Sequence, residues 1–233
     1  MRKAATLLNL ICTTLFLSLL VLCLSPIDRD GRLTHRVARL WAKIHLRVSG
    51  IRVRAEGLER MERGPFIFMC NHSSALDIFA LFSAIPHEFR WVAKRELFLI
   101  PFFGWALRRA GYIALERENP GKAVRAIKEA KSTAERQMSL VIFPEGTRSP
   151  DGTLLPFKRG GFFIALKTGL PILPVGIVGA RLLQPRGSVL PRGAGDIHVI
   201  FGEAVCAQTK GKDEIRRLMG EVRRRIEGLC QGR

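Results

Sequence analysis

Pro65-Phe66-Ile67-Phe68-Met69-Cys70-Asn71-His72-Ser73-Ser74-Ala75-Leu76-Asp77 decides the fold. Residues 65–70 carry no charge and read as a buried strand. The pattern changes after Ser74, where residues 75–84 read as a helix. A strand running through a short polar turn into a helix is the building unit of an α/β protein.

Working outward, the same alternation continues. Further strands are expected at 51–55, 89–93, 112–115, 140–143, 172–178 and 197–201. Helical patterns fall at 101–110, at 162–168 stopping at Gly169, and at 213–229, which is basic and amphipathic. Another runs to about Gln137, with Asn119 at the N-cap and Pro120 at the first position. The fold class that follows is α/β, with a mixed, partly parallel sheet flanked by helices. Residues 184–195, rich in Pro, Gly and Arg, read as a long exposed loop.

The N-terminus is different in kind. Residues 4–24 contain no charged residue, and a helix of that length rises about 30 Å, enough to cross a hydrocarbon core. Three readings compete: a transmembrane anchor, a signal peptide, and a hairpin dipping into one leaflet. No small-x-small cleavage site follows, which counts against the signal peptide. In residues 32–48, cations mix with Leu33, Val37, Leu40, Trp41, Ile44 and Val48 on one helical face. Trp41 among Arg36, Arg39 and Lys43 suits an interfacial helix; a core helix fits the same pattern. The expected division is therefore 1–50 as N-terminal membrane-anchoring helices and 51–233 as the catalytic domain.

The formal net charge of +18 calls for an anionic partner. Nucleic acid is disfavoured, because the chain has a single Tyr and neither an RNA-binding motif nor zinc-finger spacing. An acidic lipid surface or an acidic carrier protein remains, with residues 32–43 and Arg223-Arg224-Arg225 as the expected contacts. The five cysteines are scattered without a C-x-x-C pair, which argues against a disulfide framework and against a metal site.

Several residues can carry chemistry. His72 and Asp77 are five apart, so on one helix they would point about 140° from each other. They can meet only if His72 lies in the turn and Asp77 in the first helical turn, with Ser73 or Ser74 as N-cap. The carboxylate would then orient the imidazole as a general base. Rival nucleophiles are Cys70, Ser73 and Ser74, although no G-x-S-x-G elbow surrounds the serines. Phe143-Pro144-Glu145-Gly146-Thr147-Arg148-Ser149 follows a second buried strand; Arg148 offers a fork that fits phosphate, and Gly146 allows close backbone approach. Lys158-Arg159-Gly160-Gly161 opens a helix and could hold an anion. Lys94 and Arg117 sit at strand ends, where doubly wound sheets gather ligands. The apolar, aromatic stretch 97–105 reads as core, or as a patch facing lipid or an acyl chain.

Four blocks in this order resemble the 1-acylglycerol-3-phosphate O-acyltransferase family. They are Asn71-His72 with Asp77; Lys94 with Gly111-Tyr112-Ile113 and Arg117; Phe143 to Ser149; and Leu173-Pro174-Val175-Gly176-Ile177. Residues 4–48 are similar to the membrane-binding helical pair of bacterial members. The resemblance implies a glycerolipid acyltransferase fold, and His72 and Asp77 as the catalytic pair. It implies Asn71, Lys94, Arg117, Glu145, Gly146, Thr147 and Arg148 as substrate-binding residues. No metal and no cofactor is implied; acyl-carrier protein or acyl-CoA serves as co-substrate. The implied partners are membrane lipids, a lysophospholipid acceptor and the thioester donor, with no nucleic acid. The implied place is the inner membrane, with the catalytic domain on its cytoplasmic face. A lyso-aminolipid acceptor, or a thiol or serine acyl hydrolase, are the alternatives.

Overall fold

The structure, a computed structural model, describes residues 2–61, 64–115, 120–209 and 211–231. Arg117 and the Asn119 cap lie outside the described residues.

Two helices come first, α1 (Arg2–Leu24) and α2 (Arg32–Ser49). The rest alternates: β1 (Ile51–Glu56), β2 (Ile67–Cys70), α3 (Leu76–Ala84), β3 (Phe89–Lys94), α4 (Phe103–Arg109), β4 (Ile113–Leu115), α5 (Pro120–Glu135), β5 (Ser139–Ile142), α6 (Arg159–Thr168), β6 (Ile172–Val178), α7 (Ala180–Leu183), β7 (Gly195–Phe201) and α8 (Lys212–Gln231). Every strand read from the sequence is present, with ends shifted by a residue or two. The short α7 and two 3₁₀ turns, Leu58–Met61 and Arg95–Leu99, carried no periodic signal long enough to read.

The seven strands form one sheet in the order β1-β7-β6-β2-β5-β3-β4. Neighbours run parallel except β6 and β7. The chain leaves β2 through α3 and returns at β3, passing over β5. It leaves β5 through α6 and returns at β6, passing over β2. The two connections run in opposite directions on opposite faces of the sheet, α3 in one core and α6 in the other, so a crevice opens at the C-terminal ends of β2 and β5, which is where α/β sheets bind ligands.

β2 lies near the middle and is covered on both sides, which explains its unbroken apolar run. Phe66, Phe68 and Cys70 face one core with α2 and α3. Ile67 and Met69 face the other core, with α5, α6 and α8. Against β6, α8 comes close enough that a Cβ on Gly176 would stand 2.8 Å from the Cβ of Leu229. Only glycine fits that position.

The N-terminal helices pack on the domain. α2 contacts α3 and β1, and α1 contacts α2 and α4. The face of α2 that is buried consists of Thr34, His35, Ala42, His45, Leu46 and Ser49. Of the stripe read from the sequence, Leu33, Leu40 and Val48 point outward. Trp41 is half-buried, donating from Nε1 to Thr14 Oγ1 at 3.0 Å and packing against Phe79 at 4.7 Å with the rings tilted by 46°. Of the two readings of α2, these contacts favour the helix packed on the domain: the Trp41 ring is a joint between α1 and α3.

Candidate active site

His72 lies in the turn after β2 and Asp77 in the first turn of α3, the one placement in which they can meet. His72 Nδ1 is 2.9 Å from Asp77 Oδ2. The same oxygen accepts the backbone N–H groups of Ser73 and Ser74, each at 2.8 Å. With Oδ2 as acceptor, the proton of the neutral imidazole sits on Nδ1 and the lone pair on Nε2. Ser74 acts as expected of a serine at a helix start: its Oγ accepts the N–H of Leu76, the first residue of α3, at 3.1 Å. Ala75, between them, makes no side-chain cap bond. Asp77 adds to this by reaching back to the two N–H groups of the turn. A carboxylate there also suits the helix dipole.

The imidazole is held from a third side by Phe143, whose ring is stacked on it at 3.8 Å and 10°. Trp91 backs Phe143 at 5.5 Å. The sequence marks Phe143 only as part of a block; its position at a strand end, where side chains meet the crevice, is the signal of this contact.

The loop after β5 grips the turn by its main chain. Glu145 Oε1 accepts from His72 N at 2.8 Å, Glu145 Oε2 accepts from Leu155 N at 2.8 Å, and Ser149 N donates to His72 O at 2.7 Å. Asn71 is fixed from the other flank, with Nδ2 donating to Ile177 O at 2.9 Å and Oδ1 accepting from Ile177 N at 2.7 Å. Asn71 and Glu145, expected to touch substrate, have their polar atoms occupied by backbone and frame His72. Burial is the main influence on Glu145, pushing its carboxyl above the ordinary range against the two N–H donors.

Open to one side of His72 is a cavity of about 670 Å³. α1 roofs it with Leu17 and Val21, α2 lines it with Trp41, and α4 with Ala106 and Leu107. His72, Lys94, Gly146, Thr147 and Arg148 reach it. Gly146 has φ +73°, a conformation that favours glycine and lets the loop turn beside the cavity. Arg148 is half-buried. Lys94 is exposed and pairs with Glu96 at 3.1 Å. The structure thus gathers His72, Lys94, Gly146, Thr147 and Arg148 around one apolar space, with Asp77 buried behind His72.

The rival nucleophiles are poorly placed. Cys70 is fully buried in β2, and burial, with Asp77 adding repulsion, raises its thiol well above the ordinary value. Ser74 Oγ donates to Gln184 O at 2.7 Å and is buried. Arg159 and Gly160 are exposed at the start of α6 and do not line the cavity.

A mostly parallel sheet with a His–Asp pair at the crevice between β2 and β5, beside an apolar cavity with a cationic mouth, defines an α/β protein with a general-base site open to an apolar ligand. The chain belongs to the Acyltransferase family, whose model matches residues 52–178. It is 36% identical over 181 residues to a chloroplastic 1-acyl-sn-glycerol-3-phosphate acyltransferase of Brassica napus, covering 76% of this chain and 52% of that protein. It is 34% identical over 181 residues to the 1-acyl-sn-glycerol-3-phosphate acyltransferase of Pseudomonas aeruginosa, covering 77% and 68%. The crystal structure of the 1-acyl-sn-glycerophosphate acyltransferase PlsC from Thermotoga maritima superposes with a TM-score of 0.74, at 31% identity over 98% of both chains. The chain spans about half the length of the plant relatives it matches.

Proposed function

We propose that this protein is a 1-acyl-sn-glycerol-3-phosphate O-acyltransferase working at a membrane surface. It moves a fatty acyl group from acyl-carrier protein or coenzyme A to the free hydroxyl of lysophosphatidic acid, giving phosphatidic acid. One observation carries the chemistry: a tautomer-fixed imidazole opens onto an apolar cavity whose mouth is cationic.

In this reading His72 Nε2 takes the hydroxyl proton as the oxygen attacks the thioester carbonyl. The C–S bond then breaks, and the leaving thiolate takes that proton from the imidazolium. Asp77 holds the ring and stabilises its cation. Arg148 and Lys94, joined by Arg117, bind the acceptor phosphate; the apolar cavity takes an acyl chain. Asn71 and Glu145 position the turn rather than touch the acceptor. No metal or cofactor takes part. A hydrolase would need Cys70 or a serine as nucleophile, and their burial disfavours it.

The membrane reading rests on α1. Residues Thr6–Leu24 have a mean hydropathy of 2.5. One face is docked through Thr14, Leu17, Ser18 and Val21, while Leu8, Ile11, Leu15 and Phe16 are exposed. A helix fixed along one side to the domain is suited to lying in one leaflet with its free side in acyl chains. We place the protein at the inner membrane, with the catalytic domain on the cytoplasmic face.

The test is the purified protein and its His72→Ala and Asp77→Asn variants, assayed with lysophosphatidic acid and both donors. Loss of turnover by roughly 10²–10⁴-fold in His72→Ala, with acceptor binding kept, is expected. Wild-type turnover in that variant would overturn the general-base role. Transfer to a lyso-aminolipid in preference would replace the acceptor.

A further inference from the structure

A second cleft, of about 940 Å³, shares only Tyr112 with the apolar cavity and contains none of the residues assigned above. Its walls bring together Arg29 from the turn between α1 and α2, Arg90 from β3, Arg95 from the 3₁₀ turn after it, and Arg108 and Arg109 from the end of α4. Arg125 of α5 and Arg136 just after it stand at its edge, paired with Glu129 at 2.8 Å and Asp30 at 3.4 Å. The third carboxylate, Asp28, is engaged with the start of α2, accepting from Thr34 N at 2.7 Å and Leu33 N at 3.1 Å. Among the described residues Arg29, Arg108 and Arg109 have no ion-pair partner.

Two buried groups point into the same space. Arg90 is only 2% exposed, yet its guanidinium donates to carbonyl oxygens alone, Phe89 O at 3.0 Å and Asp30 O at 2.7 Å. A buried cation without a bonded counter-charge is costly unless an anion joins it. Tyr112 is 6% exposed, and its hydroxyl has no hydrogen-bond partner among the described residues.

The cleft also borders exposed apolar surface. Ile27 is 71% exposed two residues before Arg29, Leu99 is 60% exposed four after Arg95, and Trp105 is 48% exposed. Trp105 lies one turn before Arg108 and Arg109, on the same face of α4. Arginine forks match a phosphate bidentately, and the neighbouring apolar residues suit the acyl part of the same molecule.

We propose that this cleft binds the phosphate headgroup of an anionic membrane lipid, separately from the acceptor at His72. The proposal rests on the membrane-surface reading for its source of lipid, and does not depend on the acyl-transfer chemistry. It is a different surface from the C-terminal arginines, where Arg223 donates to Leu154 O and Leu155 O, and Arg224 and Arg225 pair with Glu221.

The test is binding of monomeric short-chain phosphatidylglycerol to the full chain, with short-chain phosphatidylcholine and inorganic phosphate as comparisons. Phosphatidylglycerol should bind best, and the Arg108→Gln/Arg109→Gln variant should bind it about tenfold more weakly. Arg148→Ala and the charge-matched Arg216→Gln/Arg224→Gln should bind it as wild type does. Loss in Arg148→Ala instead places the lipid at the acceptor site, equal loss in both double variants reduces the effect to net charge, and equal binding of inorganic phosphate makes it a soluble-anion site; each overturns the proposal. Flotation with phosphatidylcholine vesicles tests the membrane reading independently, so failure there and failure here are distinguishable.

Discussion

Glu145 Oε1 accepts the main-chain N–H of His72 at 2.8 Å, across 73 residues of sequence. The loop after β5 therefore sets the height of the imidazole, although it donates nothing to the ring. Glu145→Gln leaves an acceptor for one N–H and turns an NH₂ towards the other, from Leu155. An unsatisfied buried N–H costs about 1–3 kcal/mol. The variant should unfold at lower temperature and lose kcat about tenfold or more, with the acceptor KM changed little. A loss carried wholly by KM would put Glu145 in contact with substrate.

Arg148 should act on binding. A hydrogen bond to a charged group contributes about 1.5–3 kcal/mol, so Arg148→Ala should raise the lysophosphatidic acid KM by roughly ten- to a hundredfold. Lys94→Ala should do so more weakly, because Lys94 is exposed and shared with Glu96. With lysophosphatidylcholine, which lacks a free phosphomonoester, both effects should shrink. Steady-state kinetics with the two acceptors decides it.

Ala106 is 8% exposed and lines the apolar cavity from α4. Ala106→Phe should fill part of it. Each buried methylene is worth about 0.8 kcal/mol, so losing room for two or three should cost long chains tenfold or more in kcat/KM relative to short ones. Packing strain of about 1–3 kcal/mol should appear as a lower unfolding temperature. An unchanged chain-length profile would show that the acyl chain lies elsewhere.

His35 gives the fold a pH dependence. It is 1% exposed on α2, packed edge-on to Phe89 at 4.7 Å, and neither ring nitrogen has a partner among the described residues. Burial, then repulsion from Arg90 and Arg39, pushes its pKa from 6.5 down to about 3. Below 6.5 the unfolded chain binds a proton that the folded chain refuses until about 3, so stability falls as pH falls through that window. The slope from this group approaches about 1.4 kcal/mol per pH unit. Urea unfolding of wild type and His35→Phe across the window should show a shallower slope in the variant.

Much of the fold was legible because its signals are local. Strand and helix periodicity placed each strand of the sheet, and Gly169 ended α6 as expected. The Asn119 cap and Arg117 fall among residues outside the description. Local signals also left choices open: the stripe on α2 fitted an interfacial and a core helix alike, and the contacts of Trp41 with Thr14 and Phe79 pack it on the domain. Ser74 was legible as a cap and binds the Leu76 N–H, whereas the hold of Asp77 on the Ser73 and Ser74 N–H groups needed the folded turn.

The sequence by itself determined the α/β alternation, the apolar N-terminal helix and the family, because periodicity and block order need no third dimension. Tertiary structure alone decided which block residues face the cavity and which brace the turn. Asn71 meets Ile177 across 106 residues, and Glu145 meets His72 across 73. It also separated arginines already paired within the domain from those left facing a cleft, since charge is written in the sequence but the distance to a counter-charge is not.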